Sequence, residues 1–221
     1  MVVKILFAPA TFLLAASILL GQSPKGALGE DREAHLKKRV VASLQASTGD
    51  TVADVGCGEG FYTIPLAQFI GASGKVFAVD IDEKALSKLK QQLTKENLKN
   101  VQVQQGLAND PGLPVESLDA AMIVNAYHEM PEHEAILKHI RAALKQDGRL
   151  VIMERITDKY EKLTRDEQVK KHHLAARFVS SELEGAGFAI LKLDDPFVDL
   201  PNDAEDGKPR WWLVVARKLP Q

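Results

Sequence analysis

Asp54, Gly56, Gly58 and Gly60 stand at alternate positions in Val52-Ala53-Asp54-Val55-Gly56-Cys57-Gly58-Glu59-Gly60, and Val76-Phe77-Ala78-Val79-Asp80 follows downstream. Each stretch is a short apolar run that ends in polar chemistry. Glycines at such a point let the backbone turn sharply and admit a ligand with no Cβ in the way. A carboxylate at the tip of the next strand is the group that holds a ribose diol in nucleotide-binding α/β folds. The chemistry implied is capture of a nucleoside-containing cofactor.

Charge narrows the choice of cofactor. A dinucleotide site spells its turn G-x-G-x-x-G and seats a pyrophosphate on a helix N-terminus. Here the spacing is G-x-G-x-G, Asp54 precedes it, Glu59 lies inside it, and no Lys or Arg occurs between Thr51 and Gly74. Carboxylates repel phosphate and welcome a cation. A ligand carrying an ammonium and a sulfonium, as S-adenosylmethionine does, suits this loop. With Asp54, Gly56, Gly58 and Gly60 as a first motif and Val79-Asp80 as a second, the chain resembles the class I S-adenosylmethionine-dependent methyltransferases over residues 32–217.

The elements needed to position these residues can be read from periodicity. Helical spacing spans Asp31–Leu44, Phe61–Ile70, Glu83–Glu96 and Pro131–Leu144. Strand-like runs span Thr51–Val55, Lys75–Val79, Val101–Gln105, Leu118–Val124 and Arg149–Met153. The alternation predicts an α/β fold with a doubly wound, mostly parallel sheet. Thr164-Arg165-Asp166-Glu167 has capping-box spacing, so a helix is predicted from there towards Gly185, with a break near Ser180. Phe188–Leu193 and Trp211–Ala216 read as strands joined by a loop over Asp194–Arg210, hence an antiparallel hairpin at the sheet edge. The resemblance implies seven strands in the order 3-2-1-4-5-7-6, with strand 7 antiparallel.

Ligands of open parallel sheets bind beyond the C-terminal strand ends. By resemblance, Asp54 and the backbone of Gly56, Cys57, Gly58 and Gly60 face the methionine end of the cofactor. Asp80 takes the ribose hydroxyls, Ile81 packs on the adenine, Asn109 meets its edge with Ala108 beside it in the cofactor-binding loop after strand three, and Asn125 borders the methyl group. Family members often carry an acid directly after the glycine at the end of strand three, where this chain has Gly106-Leu107. Tyr127 and His128 are the catalytic candidates. Tyr127 is placed to line the acceptor pocket, and His128 can act as a base because an imidazole titrates near neutral pH. Methyl transfer needs alignment more than a strong base.

Other features limit the function. The formal net charge is −2, which leaves no nucleic-acid footprint. The single cysteine, Cys57, cannot form an intrachain disulfide and reads as a small turn residue rather than a nucleophile. His172 and His173 are adjacent and diverge on a helix, so no metal cluster is predicted; with Arg177 they read as surface groups. Trp211 and Trp212 read as edge-strand packing. Residues 1–22 hold a basic start and an apolar run over 5–20, which resembles a signal peptide or membrane anchor. Export would separate the domain, 23–221, from cytoplasmic S-adenosylmethionine, whereas anchoring on the cytoplasmic side would not. The expected partner is a small-molecule methyl acceptor. The competing readings are a non-catalytic cofactor-binding or partner-binding domain and a nicotinamide-dependent oxidoreductase.

Overall fold

The computed structural model describes residues 27–198 and 209–220. The expectation for residues 1–22 lies outside them. Among the described residues no helix is long and apolar enough to cross a membrane.

In chain order the elements are α1 (Ala27–Ser43), β1 (Thr51–Val55), α2 (Thr63–Ile70), β2 (Lys75–Asp80), α3 (Glu83–Lys95), β3 (Val101–Gln105) and β4 (Leu118–Val124). A 3₁₀ turn (Tyr127–Glu129) follows, then α4 (His133–Ala143), β5 (Leu144–Ile156), α5 (Arg165–Val169), α6 (Ala176–Gly185), β6 (Phe188–Val198) and β7 (Arg210–Lys218). The sheet runs β3-β2-β1-β4-β5-β7-β6. β1 to β5 pair in parallel, and β7 is antiparallel to both β5 and β6. The order and the reversed strand are those expected from the sequence.

Successive strand residues point to opposite faces, and each face has its own core. Ala53, Val55, Phe77 and Val79 pack with Ile136, Ile140, Val179 and Leu183 of α4 and α6 on one side. Val52 and Val76 pack with Val40 of α1, Leu44 just beyond it, and Leu66 and Ile70 of α2 on the other. α3 starts where Asp82 caps it, accepting from the backbone N–H of Lys84 and Ala85. It buries Leu86, Leu89 and Leu93 and leaves its lysines outside.

Three sequence expectations are corrected. The predicted break near Ser180 falls instead at Lys170–Ala175, between α5 and α6. Gln168 is fully buried there; its side chain donates to the carbonyl of Tyr160 and accepts from Ala175 N at 2.8 Å. Satisfying a buried amide this way pins the loops on both sides of α5 to it. β6 runs on to Val198 rather than ending at Leu193, because Phe197 is buried and carries Arg39 on its ring face. Finally, β7 is not an edge strand. Trp212 is fully buried and its indole N–H donates to Leu174 O at 2.8 Å.

Candidate active site

The glycine turn is held against the end of β2. Gly56 N and Cys57 N both donate to Val79 O, at 2.8 and 3.1 Å. Gly58 N donates to Asp80 Oδ2 at 2.7 Å, and Asp82 N donates to Oδ1 at 2.9 Å. Each Asp80 oxygen therefore has one protein partner and keeps lone-pair capacity for another donor. Gly56, Gly58 and Gly60 all have positive φ. A Cβ at Gly56 would sit 2.5 Å from Ala126 Cβ, and one at Gly60 would sit 2.4 Å from Leu89 Cδ1. A Cβ at Gly58 would meet nothing within 4 Å, so the turn faces open space at that residue.

Two cavities meet along this turn, of about 280 Å³ and about 340 Å³, and both touch Gly56, Gly58 and Asn125. The first holds Asp80 and the apolar, solvent-facing Ile81 and Leu107. The second holds Asp54, Cys57, Phe61, Tyr62 and Trp211. Among the described residues no Lys or Arg lines either one. The pair can take an elongated ligand with a flat ring and diol at one end and a cation at the other.

Asp54 sits on the buried part of β1, with Oδ2 accepting from Thr63 Oγ1 at 2.6 Å. Burial pushes its carboxyl up to about 7; the Thr63 bond opposes the rise and neighbouring Asp80 adds to it. The same burial, reinforced by Asp54 and Asp80, raises the Cys57 thiol well above its ordinary range. That agrees with reading Cys57 as a turn residue.

Asn125 lines both cavities from a left-handed backbone conformation, φ 53°, which asparagine tolerates well. Ala108 lines the first cavity, while Asn109 is exposed and lines neither. Gly60 serves the packing of α3 rather than the cavity wall.

The catalytic candidates separate. Tyr127 is fully buried and turned into the α6 side of the core. Its hydroxyl donates to Glu182 Oε2 at 2.8 Å, Arg165 binds the same carboxylate, and the phenol is pushed up by burial and by Glu182. It lines neither cavity, whereas the sequence reading placed it along an acceptor pocket. His128 is also buried, but its Nδ1 lies 2.9 Å from Glu154 Oε2, and its backbone N donates to Glu154 Oε1 at 3.2 Å. Its Nε2 is directed at Glu129 Oε1, 3.7 Å away, and Glu129 lines the first cavity.

Sequence reasoning missed several residues. Leu107 entered only as the absence of an acid. Glu154 lies one residue beyond the strand expected over Arg149–Met153, where nothing local signals its partner. Thr63 and Tyr62 carried no local signal, and Trp211, read as edge-strand packing, lines the second cavity. His128, Glu129 and His172 come together although the sequence predicts no metal-ligand cluster. His172 and His173 lie in the loop between α5 and α6 rather than on a helix; burial lowers the pKa of His173, and it packs on Tyr160.

Comparison with known proteins agrees with this geometry. The family model described as "Methyltransferase domain" matches residues 46–193. The chain belongs to that family, with the class I S-adenosylmethionine-dependent fold. It is similar to the structure of a SAM-dependent methyltransferase from Aquifex aeolicus, with 25% identity, a TM-score of 0.68, and coverage of 86% of this chain and 98% of that one. Among curated proteins it is 33% identical over 119 residues to demethylmenaquinone methyltransferase of Lactobacillus johnsonii, covering 53% of this chain and 49% of that one. It is 28% identical over 123 residues to aklanonic acid methyltransferase DauC of Streptomyces sp., covering 56% of each. The chain spans about half the length of these curated relatives.

Proposed function

We propose that this protein transfers the methyl group of S-adenosylmethionine to a small-molecule acceptor. The observation that carries the reading is the pair of joined cavities, with a carboxylate in each and no cationic residue lining either among the described residues. Asp80 takes the ribose hydroxyls with its remaining lone pairs. Ile81 and Leu107 sandwich the adenine, and Ala108 borders it. Asp54 and the Gly56–Gly58 backbone receive the methionine end, and Asn125 stands where the two cavities join.

The bound cofactor supplies an activated methyl group: the acceptor's lone pair forms the new bond to carbon, the C–S pair stays on sulfur, and any acceptor proton leaves to solvent. The protein's own task is to align the acceptor and exclude water. His128, fixed by Glu154, is the polar group assigned to the acceptor side. A small acceptor is favoured because only α5 and α6 separate β5 from β6. The names of the relatives point the same way. Residues 23–221 are the proposed domain, with the apolar segment 5–20 as a membrane contact.

Calorimetric titration with S-adenosylmethionine and its demethylated product tests the reading. Micromolar binding of both supports it. NAD binding in their place would favour an oxidoreductase, and no binding by folded protein would favour a non-catalytic domain.

A further inference from the structure

We propose that His128, Glu129 and His172 form a binding site for a divalent transition-metal ion, with Glu154 orienting His128. Their ligand atoms lie within 4.8 Å of one another. Glu129 Oε1 is 3.7 Å from His128 Nε2 and 3.6 Å from His172 Nδ1. A tetrahedral ion with bonds of about 2.0–2.1 Å spaces its ligands roughly 3.3 Å apart, so Glu129 already stands close to coordinating distance from both rings. The His172 and Glu129 side chains are 67% and 63% exposed and can close the rest by rotation. His128 is the fixed member.

The independent observation is Glu154. It is fully buried on β5, and both its oxygens face His128, one at the backbone N–H and the other at Nδ1. A carboxylate at Nδ1 fixes the ring hydrogen there and leaves the Nε2 lone pair free. Metal-binding histidines are commonly oriented this way. Two imidazoles and a carboxylate suit zinc or iron(II) better than magnesium or calcium. Gln168 supports the third ligand from behind: the loop that its amide pins carries His172 at φ 54°.

Resting on the function proposed above, this site also names an acceptor class. Glu129 lines the first cavity together with Asn125, which also lines the second, so in this proposal the ion's remaining positions lie at the junction of the two cavities, where the methyl group is offered to the acceptor. A cation there binds a hydroxyl or enol oxygen and lowers its pKa, as zinc lowers that of water to about 7. In the metal-loaded protein, His128 is a ligand and the acceptor's proton goes to solvent.

The test is titration of untagged, metal-stripped, full-length protein with zinc chloride by calorimetry, with bound zinc counted by elemental analysis. One zinc per chain at micromolar affinity is expected. His172→Ala and Glu129→Gln should each weaken binding at least tenfold, with folding by circular dichroism unchanged. Glu154→Gln should weaken it about 10–100-fold; His172→Ala, an exposed change, keeps the test decisive if that variant fails to fold. S-adenosylmethionine affinity is measured on the same samples, so the two readings can fail separately. Zinc binding that is absent, or equal in wild type and the His172 and Glu129 variants, overturns the site.

Discussion

Asp80 Oδ2 accepts the N–H of Gly58 at 2.7 Å, across 22 residues of sequence. The carboxylate that is free to hold a ribose is therefore also the clamp that closes the glycine turn. Asp80→Ala should remove both roles. S-adenosylmethionine affinity should fall more than tenfold in calorimetry, and stability should drop by about 1–3 kcal/mol in urea unfolding, the usual cost of leaving a donor unsatisfied. Unchanged affinity would remove Asp80 from the cofactor site.

Asp54 should make the protein's stability and its ligand binding depend on pH. Its carboxyl is raised from 3.8 to about 7 in the folded chain. Between about pH 4 and 7 the folded state holds a proton that the unfolded state has released. Stability should therefore fall as pH rises through that window, by about 4 kcal/mol in all. Asp54→Asn should flatten the trend in urea unfolding at pH 5, 6, 7 and 8. A cationic ligand end beside Asp54 favours the carboxylate. Binding of S-adenosylmethionine at pH 6.5 should then release a proton, and binding at pH 8.5 should not, as read by calorimetry in two buffers of different ionisation enthalpy.

The glycines of the turn should not be equivalent. Gly56→Ala places a methyl group 2.5 Å from Ala126 Cβ at φ +77°, so it should cost at least the roughly 1–3 kcal/mol of such backbone strain, and more for the collision. Gly58→Ala meets no neighbour and should cost only the backbone term, yet it should lose cofactor affinity because the added methyl enters the cavity. Thermal unfolding together with cofactor titration of the two variants separates these outcomes.

Cys57 should resist alkylation. Burial and two nearby carboxylates hold its thiol protonated, and the thiolate is the reactive form. Iodoacetamide at pH 8 should label the folded protein far more slowly than the urea-unfolded chain. Equal rates would contradict the buried setting.

The sheet was legible because glycine and proline punctuate its strands. Thr51–Val55, Val101–Gln105 and Leu118–Val124 keep the bounds read from the sequence. The cofactor turn was legible for the same reason: its glycines and acids are local in sequence. The acceptor side was not. Tyr127 and His128 are neighbours on a 3₁₀ turn, yet one binds Glu182 on α6 and the other Glu154 on β5. No periodicity distinguishes their directions. His172 meets Glu129 only because Gln168 folds the loop back, and a buried amide leaves no pattern in sequence. β5 extends beyond its expected bounds, to Leu144 and Ile156, because its ends find pairing partners in Leu118 and Arg210.

The carboxylate of Glu182 gathers Tyr127, Arg165 and His133 onto α6. This network braces the turn that carries His128, whereas the contacts closing the glycine turn come from residues 56–82. The two halves of the proposed reaction are thus built from separate stretches of chain. Exchanging the α5–α6 stretch between relatives should retune which acceptor is chosen while leaving the cofactor grip intact, so this fold carries its selectivity as a replaceable cartridge.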